Sequence, residues 1–365
     1  MVEPRTAQLT GMHAVSALGR GGEAQLAGSP TFGPVRRFDT AARRVTVAAT
    51  LPDVGTLPDE LADAIEEACR AAGLDRVQRA ACALLLAVHG GPDASALADQ
   101  LAARCGLGGR TRVYTSACVS ASTAVADAAT LIGRGDLDRV VVAAGYLVEP
   151  DQFALFDAGR ALAVDGVVRP FSVGRRGLLL GDGVAAVVLE ASAAGRRRGA
   201  EPVATVAGWG RAGDAFHPCQ PDPTGAGLAR AVGTALRRAG LPPEAIGYVN
   251  ANATGTAQSD AAEAAALRRA LGEYARQVPV SSTKSRHGHA LEASGLLELV
   301  VTTLALRAGD LPVNAGWQGP DEHCPLNVIT TTPHPTTPHP TAPTHALTLN
   351  AAFGGANTAL LVGLP

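Results

Sequence analysis

The segment TRVYTSACVSASTAVADAATLIGR, residues 111–134, reads as a short strand, a sharp turn and a small-residue helix, with Cys118 at the turn. Unpaired N–H groups and the positive end of a helix dipole favour a thiolate at such a place. Its pKa is therefore expected to fall below the usual value of about 8.5, making the sulfur an acyl acceptor. The small neighbours Ala117, Ser120 and Ala121 leave room for an acyl chain or a second stretch of backbone. By position alone, a lone cysteine is more often a buried hydrophobe.

Three later segments carry other groups of interest. SSTKSRHGHALEASG, residues 281–295, supplies Lys284, His287 and His289 beside a glycine at the start of a long amphipathic helix. A histidine there can move a proton or donate Nε2–H to a developing oxyanion; a surface imidazole is the alternative, and His287 is left without a role. NANATGTAQSDAAE, residues 250–263, runs from a strand through a Thr/Asn/Gly turn into a helix. Its amides and hydroxyls can bind the carbonyl and amide groups of a long polar substrate arm, or can simply cap a helix. In NAAFGGAN, residues 350–357, the glycines permit positive φ, and Phe353 can wall or gate a pocket or merely pack a tight turn.

These groups need a frame. Apolar β-rich runs at 82–89, 111–115, 138–145, 183–190, 203–209, 246–250, 278–282, 345–351 and 357–363 alternate with helical patterns at 58–72, 93–104, 118–133, 224–239, 258–271 and 289–307. That order predicts an α/β protein with helix-covered sheets, and the Arg/Gly-rich stretch 194–200 is a weak signal of a boundary between two halves. A 365-residue chain that is 47% hydrophobic and only 4% aromatic, with net charge −2, has ample Ala/Val/Leu to fill a core and no global reason to bind nucleic acid or an anionic membrane. No apolar stretch is long enough to span a bilayer and MVEPRTAQLT has no apolar signal region, so a cytoplasmic protein is expected. The six cysteines lack C-x-x-C spacing, which disfavours a zinc site or a disulfide framework. The Pro/Thr/His run at 330–344 reads as an exposed loop whose His334 and His339, with His345 just beyond, are not expected to hold a metal.

Taken together and in this order, the four segments resemble the β-ketoacyl synthase family of the thiolase superfamily. TGMHAVSALGRG at 10–21, FDTAARRVTVAATLPD at 38–53, RALAVDGVVRPFSVGRRGLLLGDGVAAVVLE at 160–190 and GDAFHPCQPDP at 213–223 extend the likeness over nearly the whole chain. The resemblance implies a thiolase-like five-layered αβαβα fold of two similar halves, residues 1–195 carrying the cysteine and residues 196–365 carrying the remaining groups. It makes Cys118 the nucleophile, Lys284 the motif lysine, His289 the motif histidine, and Thr254 and Thr256 the contacts to a pantetheine arm. Phe353 becomes the gate, its N–H forms the oxyanion hole with that of Cys118, and Asp260 and Glu263 are structural.

One departure stands out. Asn250-Ala251-Asn252-Ala253-Thr254-Gly255-Thr256 replaces the family's E-A-H-G-T-G-T, so Asn252 stands where elongating members have the first of two histidines that stabilise an enolate. An asparagine donates N–H but cannot change protonation state. Ala253 also replaces a glycine, and the chain is short between residues 53 and 110; both suggest a specialised biosynthetic enzyme. The resemblance thus implies a condensing enzyme of polyketide or fatty-acid type that takes an acyl group onto Cys118 from an acyl carrier protein and joins it to a malonyl-type extender. A non-decarboxylating acyltransferase to an O, N or S nucleophile and a non-catalytic chain-length-factor-like subunit are the alternatives. No bound cofactor or metal is expected, since the substrate arrives on the carrier's phosphopantetheine. A homodimer, or a heterodimer with another ketosynthase-like chain, is expected too, with Arg175, Arg176 and Arg196 to Arg198 as candidate docking cations.

Overall fold

A computed structural model describes residues 5–331 and 343–365. His334 and His339 lie outside the described residues. Ten strands carry the architecture: β1 (Ala7–Ser16), β2 (Ala83–Ala87), β3 (Thr111–Tyr114), β4 (Arg139–Tyr146), β5 (Gly183–Ala191), β6 (Ala204–Gly213), β7 (Tyr248–Asn250), β8 (Pro279–Ser281), β9 (His345–Ala352) and β10 (Ala356–Gly363). In the first half the spatial order is β1-β5-β4-β2-β3, with β1/β5 and β5/β4 antiparallel and β4/β2 and β2/β3 parallel. The second half repeats this as β6-β10-β9-β7-β8, with the same sequence of antiparallel and parallel pairings. The halves join into one hydrogen-bonded sheet where Ala7, Gln8 and Leu9 of β1 pair with Val206, Thr205 and Ala204 of β6. The opening strand, Ala7–Ser16, begins ahead of the family-like segment at residue 10 and turns back through Gly19–Arg20.

The helices follow from their patterning. α1 (Leu57–Ala71) and α4 (Ala226–Ala239) each present one apolar face to strands of their own half and a charged face outward. α2 (Ala94–Arg104) and α5 (Ala257–Leu271) complete the outer layers. α3 (Ser120–Arg134) and α6 (Ser294–Ala308) lie in the middle between the two halves. α6 is buried on all sides from Ser294 to Val301, so the amphipathic helix expected over 289–307 is instead a core helix that starts at Ser294. A helix without a polar face needs protein all round it. Gly295 makes the α3–α6 contact possible, because a Cβ there would sit 2.8 Å from the Ser122 nitrogen. The helix expected from residue 118 begins at Ser120, after a single 3₁₀ turn at Ala117–Val119.

Residues 178–182 of the first half reach across to the second. His289 N donates to Leu179 O at 2.8 Å and Gly181 N to His289 O at 3.0 Å. A Cβ on Gly181 would meet His287 O at 1.9 Å, which no side chain can occupy. Gly181→Ala should therefore cost at least about 1–3 kcal/mol in chemical denaturation. It should also displace His289, whose backbone N–H and C=O are bonded to Leu179 and Gly181.

Candidate active site

The repeat places equivalent loops opposite each other: the turn after β3 brings Cys118 to the start of α3, and the turn after β8 brings Lys284 and His289 to the start of α6. Ala117 is held at φ 51°, a left-handed conformation that costs a non-glycine residue about 1–2 kcal/mol. Such strain is retained where a neighbouring side chain must be aimed, and Ser120 Oγ stabilises the turn by donating to Ala117 O at 2.7 Å. The result is a buried pair, Cys118 Sγ lying 3.1 Å from His289 Nε2. The other ring nitrogen, Nδ1, is 2.9 Å from Ser294 Oγ, which fixes the ring plane.

The thiolate expectation requires correction. Burial first, and then the carboxylate of Glu292, push the Cys118 thiol up to about 12, with Lys284 opposing. His289 is lowered well below its ordinary value by burial, with the Lys284 charge and His287 acting in the same direction. The pair therefore rests as thiol and neutral imidazole. Burial outweighs the short turn because charge is penalised more by lost water than it is favoured by one helix end.

Behind the pair, Lys284 is 1% exposed and its Nζ lies 2.5 Å from Glu298 Oε1; Asn350 Nδ2 donates to Glu298 Oε2 at 2.7 Å. Glu298 and Asn350 complete this buried charge network and were not singled out from sequence. A Glu four residues into a core helix, in a run without other charges, was the available signal. His287, expected as a possible surface imidazole, is fully buried and lowered to about 3 by burial and the Lys284 charge; its Nδ1 faces Gly288 O at 2.8 Å.

The remaining groups share one cavity of about 380 Å³ that contains Cys118, His289, Asn252, Thr254, Thr256 and Phe353 in its wall. The turn over 250–256 is shaped by two buried acids of α5. Asp260 accepts N–H bonds from Thr254, Gly255 and Phe171, and Glu263 accepts the N–H of Asn252 at 2.8 Å. Thr254 Oγ1 and Thr256 Oγ1 are 3.2 Å apart. Phe353 is 56% exposed at the tip of the β9–β10 turn and stacks on Phe156 at 6.0 Å between ring centroids. That turn is tied down by Gly354 N donating to Pro218 O at 2.6 Å. Phe156, Arg160 and the exposed Cys219 also line this cavity. Sequence reasoning passed over them because nothing local to residues 150–160 or 213–222 distinguishes a wall residue from a surface one.

Two of the candidate docking arginines are removed from the surface. The Arg175 side chain is only 5% exposed and donates to Asp321 at 2.8 Å, and Arg198 is held by the buried Glu190 at 3.1 Å. Arg176 and Arg197 stay exposed, near Asp165 and Asp138. Among the described residues, no group of three His, Cys, Asp or Glu could hold a metal ion, and no helix is long and apolar enough to cross a membrane.

A duplicated strand-and-helix unit, with a cysteine–histidine pair where the two central helices begin, defines a thiolase-like fold. Residues 64–194 match the family model for the β-ketoacyl synthase N-terminal domain and residues 203–318 that for its C-terminal domain, so the chain belongs to the β-ketoacyl synthase family. The tetracenomycin polyketide synthase ketoacyl synthase alpha subunit of Streptomyces glaucescens is 35% identical over 277 residues, 74% of this chain and 64% of that protein. Nodulation protein E of Rhizobium leguminosarum bv. trifolii is 38% identical over 274 residues, 74% of this chain and 66% of that protein. The matched part thus spans slightly less than two thirds of these relatives. Among solved structures, the ishigamide ketosynthase/chain length factor superposes with TM-score 0.91 at 26% identity, covering 99% of this chain and all of that one. A β-ketoacyl synthase from Burkholderia phymatum STM815 does so with TM-score 0.87 at 27% identity and the same coverage.

Proposed function

We propose that this protein is a ketosynthase that loads an acyl group onto Cys118 and condenses it with a malonyl-type extender, both delivered on the phosphopantetheine of an acyl carrier protein. The observation that carries this reading is the 3.1 Å Cys118–His289 contact inside a cavity that also holds Asn252 and the two threonine hydroxyls. Thr254 and Thr256, in the cavity wall, bind the amides of the pantetheine arm as Cys118 attacks the thioester carbonyl. His289 takes the thiol proton and returns it to the departing pantetheine sulfur. The N–H groups of Cys118 and Phe353 hold the oxyanion in between. In the second half His289 is in its Nε2–H tautomer, Nδ1 then accepting from the Ser294 hydroxyl; the malonyl C–C bond breaks, carbon dioxide leaves, and the enolate oxygen is held by Nε2–H of His289 and the amide N–H of Asn252. The enolate carbon attacks the acyl-Cys118 carbonyl, and the thiolate that leaves takes up a proton from water by way of His289. The site calls for no bound metal or redox cofactor. A homodimer, or a pair with a second ketosynthase-like chain, is the proposed assembly.

Asn252 is also the specific reason for a second reading, in which the Cys118-bound acyl group passes to an O, N or S nucleophile with His289 as base. Intact-protein mass spectrometry with acyl carrier proteins, followed by labelled malonyl carrier protein, separates the two. A Cys118 adduct with label released as carbon dioxide and a β-keto product is expected; an adduct without release would favour transfer. No adduct with any donor would sink both in favour of a partner-subunit role. Removing one oxyanion donor should lower turnover by about 10²-fold, so Asn252→Ala is expected to depress carbon dioxide release by that amount while the adduct still forms. The same assay on Asn252→His checks whether imidazole restores it.

A further inference from the structure

The amide that replaces the family histidine is held by a carboxyl that the condensation does not consume. Glu263 is 4% exposed, and its Oε1 accepts the backbone N–H of Asn252 at 2.8 Å. Its other oxygen, Oε2, is enclosed without a partner, and so is Oδ1 of Asn252. Both residues border the same small void, of about 20 Å³. Among the described residues, the amide nitrogen Nδ2 of Asn252 has no protein acceptor, and Asn252 also lines the catalytic cavity. Two orphaned buried acceptors on residues already joined by one hydrogen bond are each destabilising, and a single proton placed between them would relieve both.

We propose that Glu263 is a positioning residue held as a neutral acid: Oε2–H donates to Asn252 Oδ1 while Oε1 accepts the Asn252 N–H, so that Nδ2–H is turned into the catalytic cavity. The purpose of that orientation rests on the condensing reading; the placement of the proton does not. Burial pushes the Glu263 carboxyl up to about 8, with the Asp260 charge adding and the Asn252 and Ala253 N–H groups and Lys284 opposing. Asp260, on the same helix, is itself raised to about 7, and Asp214 and Asp222 border the void from the other side. A raised value means the proton is kept at neutral pH and lost as pH climbs through the folded-state value. Once Oε2 is an anion it can only accept, the Asn252 amide turns over, and an oxygen then faces the developing enolate.

Two measurements test this. Difference infrared spectra between pH 7 and pH 9, taken in an Asp260→Asn background that removes the other carboxyl raised into this range, should show a protonated carboxyl C=O band disappearing, and that band should be missing from Asp260→Asn/Glu263→Gln. Glu263→Gln keeps one acceptor and one permanent donor, so its carbon dioxide release should stay within about threefold of wild type and lose its alkaline decline. Glu263→Leu should lower release more than about tenfold with Cys118 acylation intact. Absence of the band, or Gln and Leu variants equally impaired with the alkaline decline unchanged in Glu263→Gln, would overturn the proposal. Should wild type release no carbon dioxide at all, the condensing reading fails, while the infrared spectra still decide where the proton sits.

Discussion

Cys118→Ala should form no acyl adduct with any carrier protein and should lower condensation by about 10³-fold or more, because Cys118 is the thiol that His289 can deprotonate. Cys118 is 8% exposed and packs among apolar neighbours, so an alanine of similar shape should leave the fold intact and confine the loss to chemistry. The remaining buried cysteines are poor substitutes, since burial raises Cys69 and Cys324 to about 11 and Cys82 and Cys105 to about 12. Cys219 is exposed at the cavity wall, so mass spectrometry should localise the adduct by peptide mapping and test Cys219→Ala in parallel. Only the Cys118 variant should lose it. The neutral resting pair also predicts how the sulfur behaves toward a small alkylating reagent. With its thiol raised by burial, the Cys118 alkylation rate should climb about tenfold per pH unit from pH 7 to 10, without levelling near 8.5. A plateau near neutral pH would show a preformed thiolate instead.

Lys284→Met should produce the largest loss of stability, about 3–5 kcal/mol, measured by urea denaturation. The substitution leaves Glu298, which is completely buried, with only the Asn350 amide. Burial already lifts the Glu298 carboxyl above the usual carboxylate range against the pull of Lys284 and Asn350. Without Lys284 it rises further. A group whose folded pKa is raised is most favourable to folding below its unfolded value of about 4.3, and that contribution is lost as pH rises. The deficit of Lys284→Met relative to wild type should therefore shrink between pH 7 and pH 5. Removing both charges in Lys284→Met/Glu298→Leu should recover most of the stability, because well-packed apolar pairs commonly equal a buried ion pair. It should not recover turnover if the Lys284 charge is needed to keep His289 neutral, a role supported by the lowering of His289 by that charge.

The candidate residues that the fold brings to one cavity were legible because each stands in a short run whose spacing is local: Cys118 between a strand and a small-residue helix, His289 five residues after Lys284, Thr254 and Thr256 in a turn before a helix. Strand and helix order was likewise readable from periodicity, and the repeat of that order suggested two halves. What the chain could not disclose is anything set by distance across the fold. The 3.1 Å Cys118–His289 contact joins residues 171 apart, and burial at that contact reverses the expected ionisation of the sulfur. The same holds for α6, whose surroundings on every side come from both halves, and for Arg175 and Arg198, which look like docking cations until Asp321 and Glu190 are folded against them. Residue type and local spacing determined which groups could react. Desolvation and long-range pairing, properties of the packed interior alone, decided their protonation, their partners and the amide–carboxyl contact between Asn252 and Glu263.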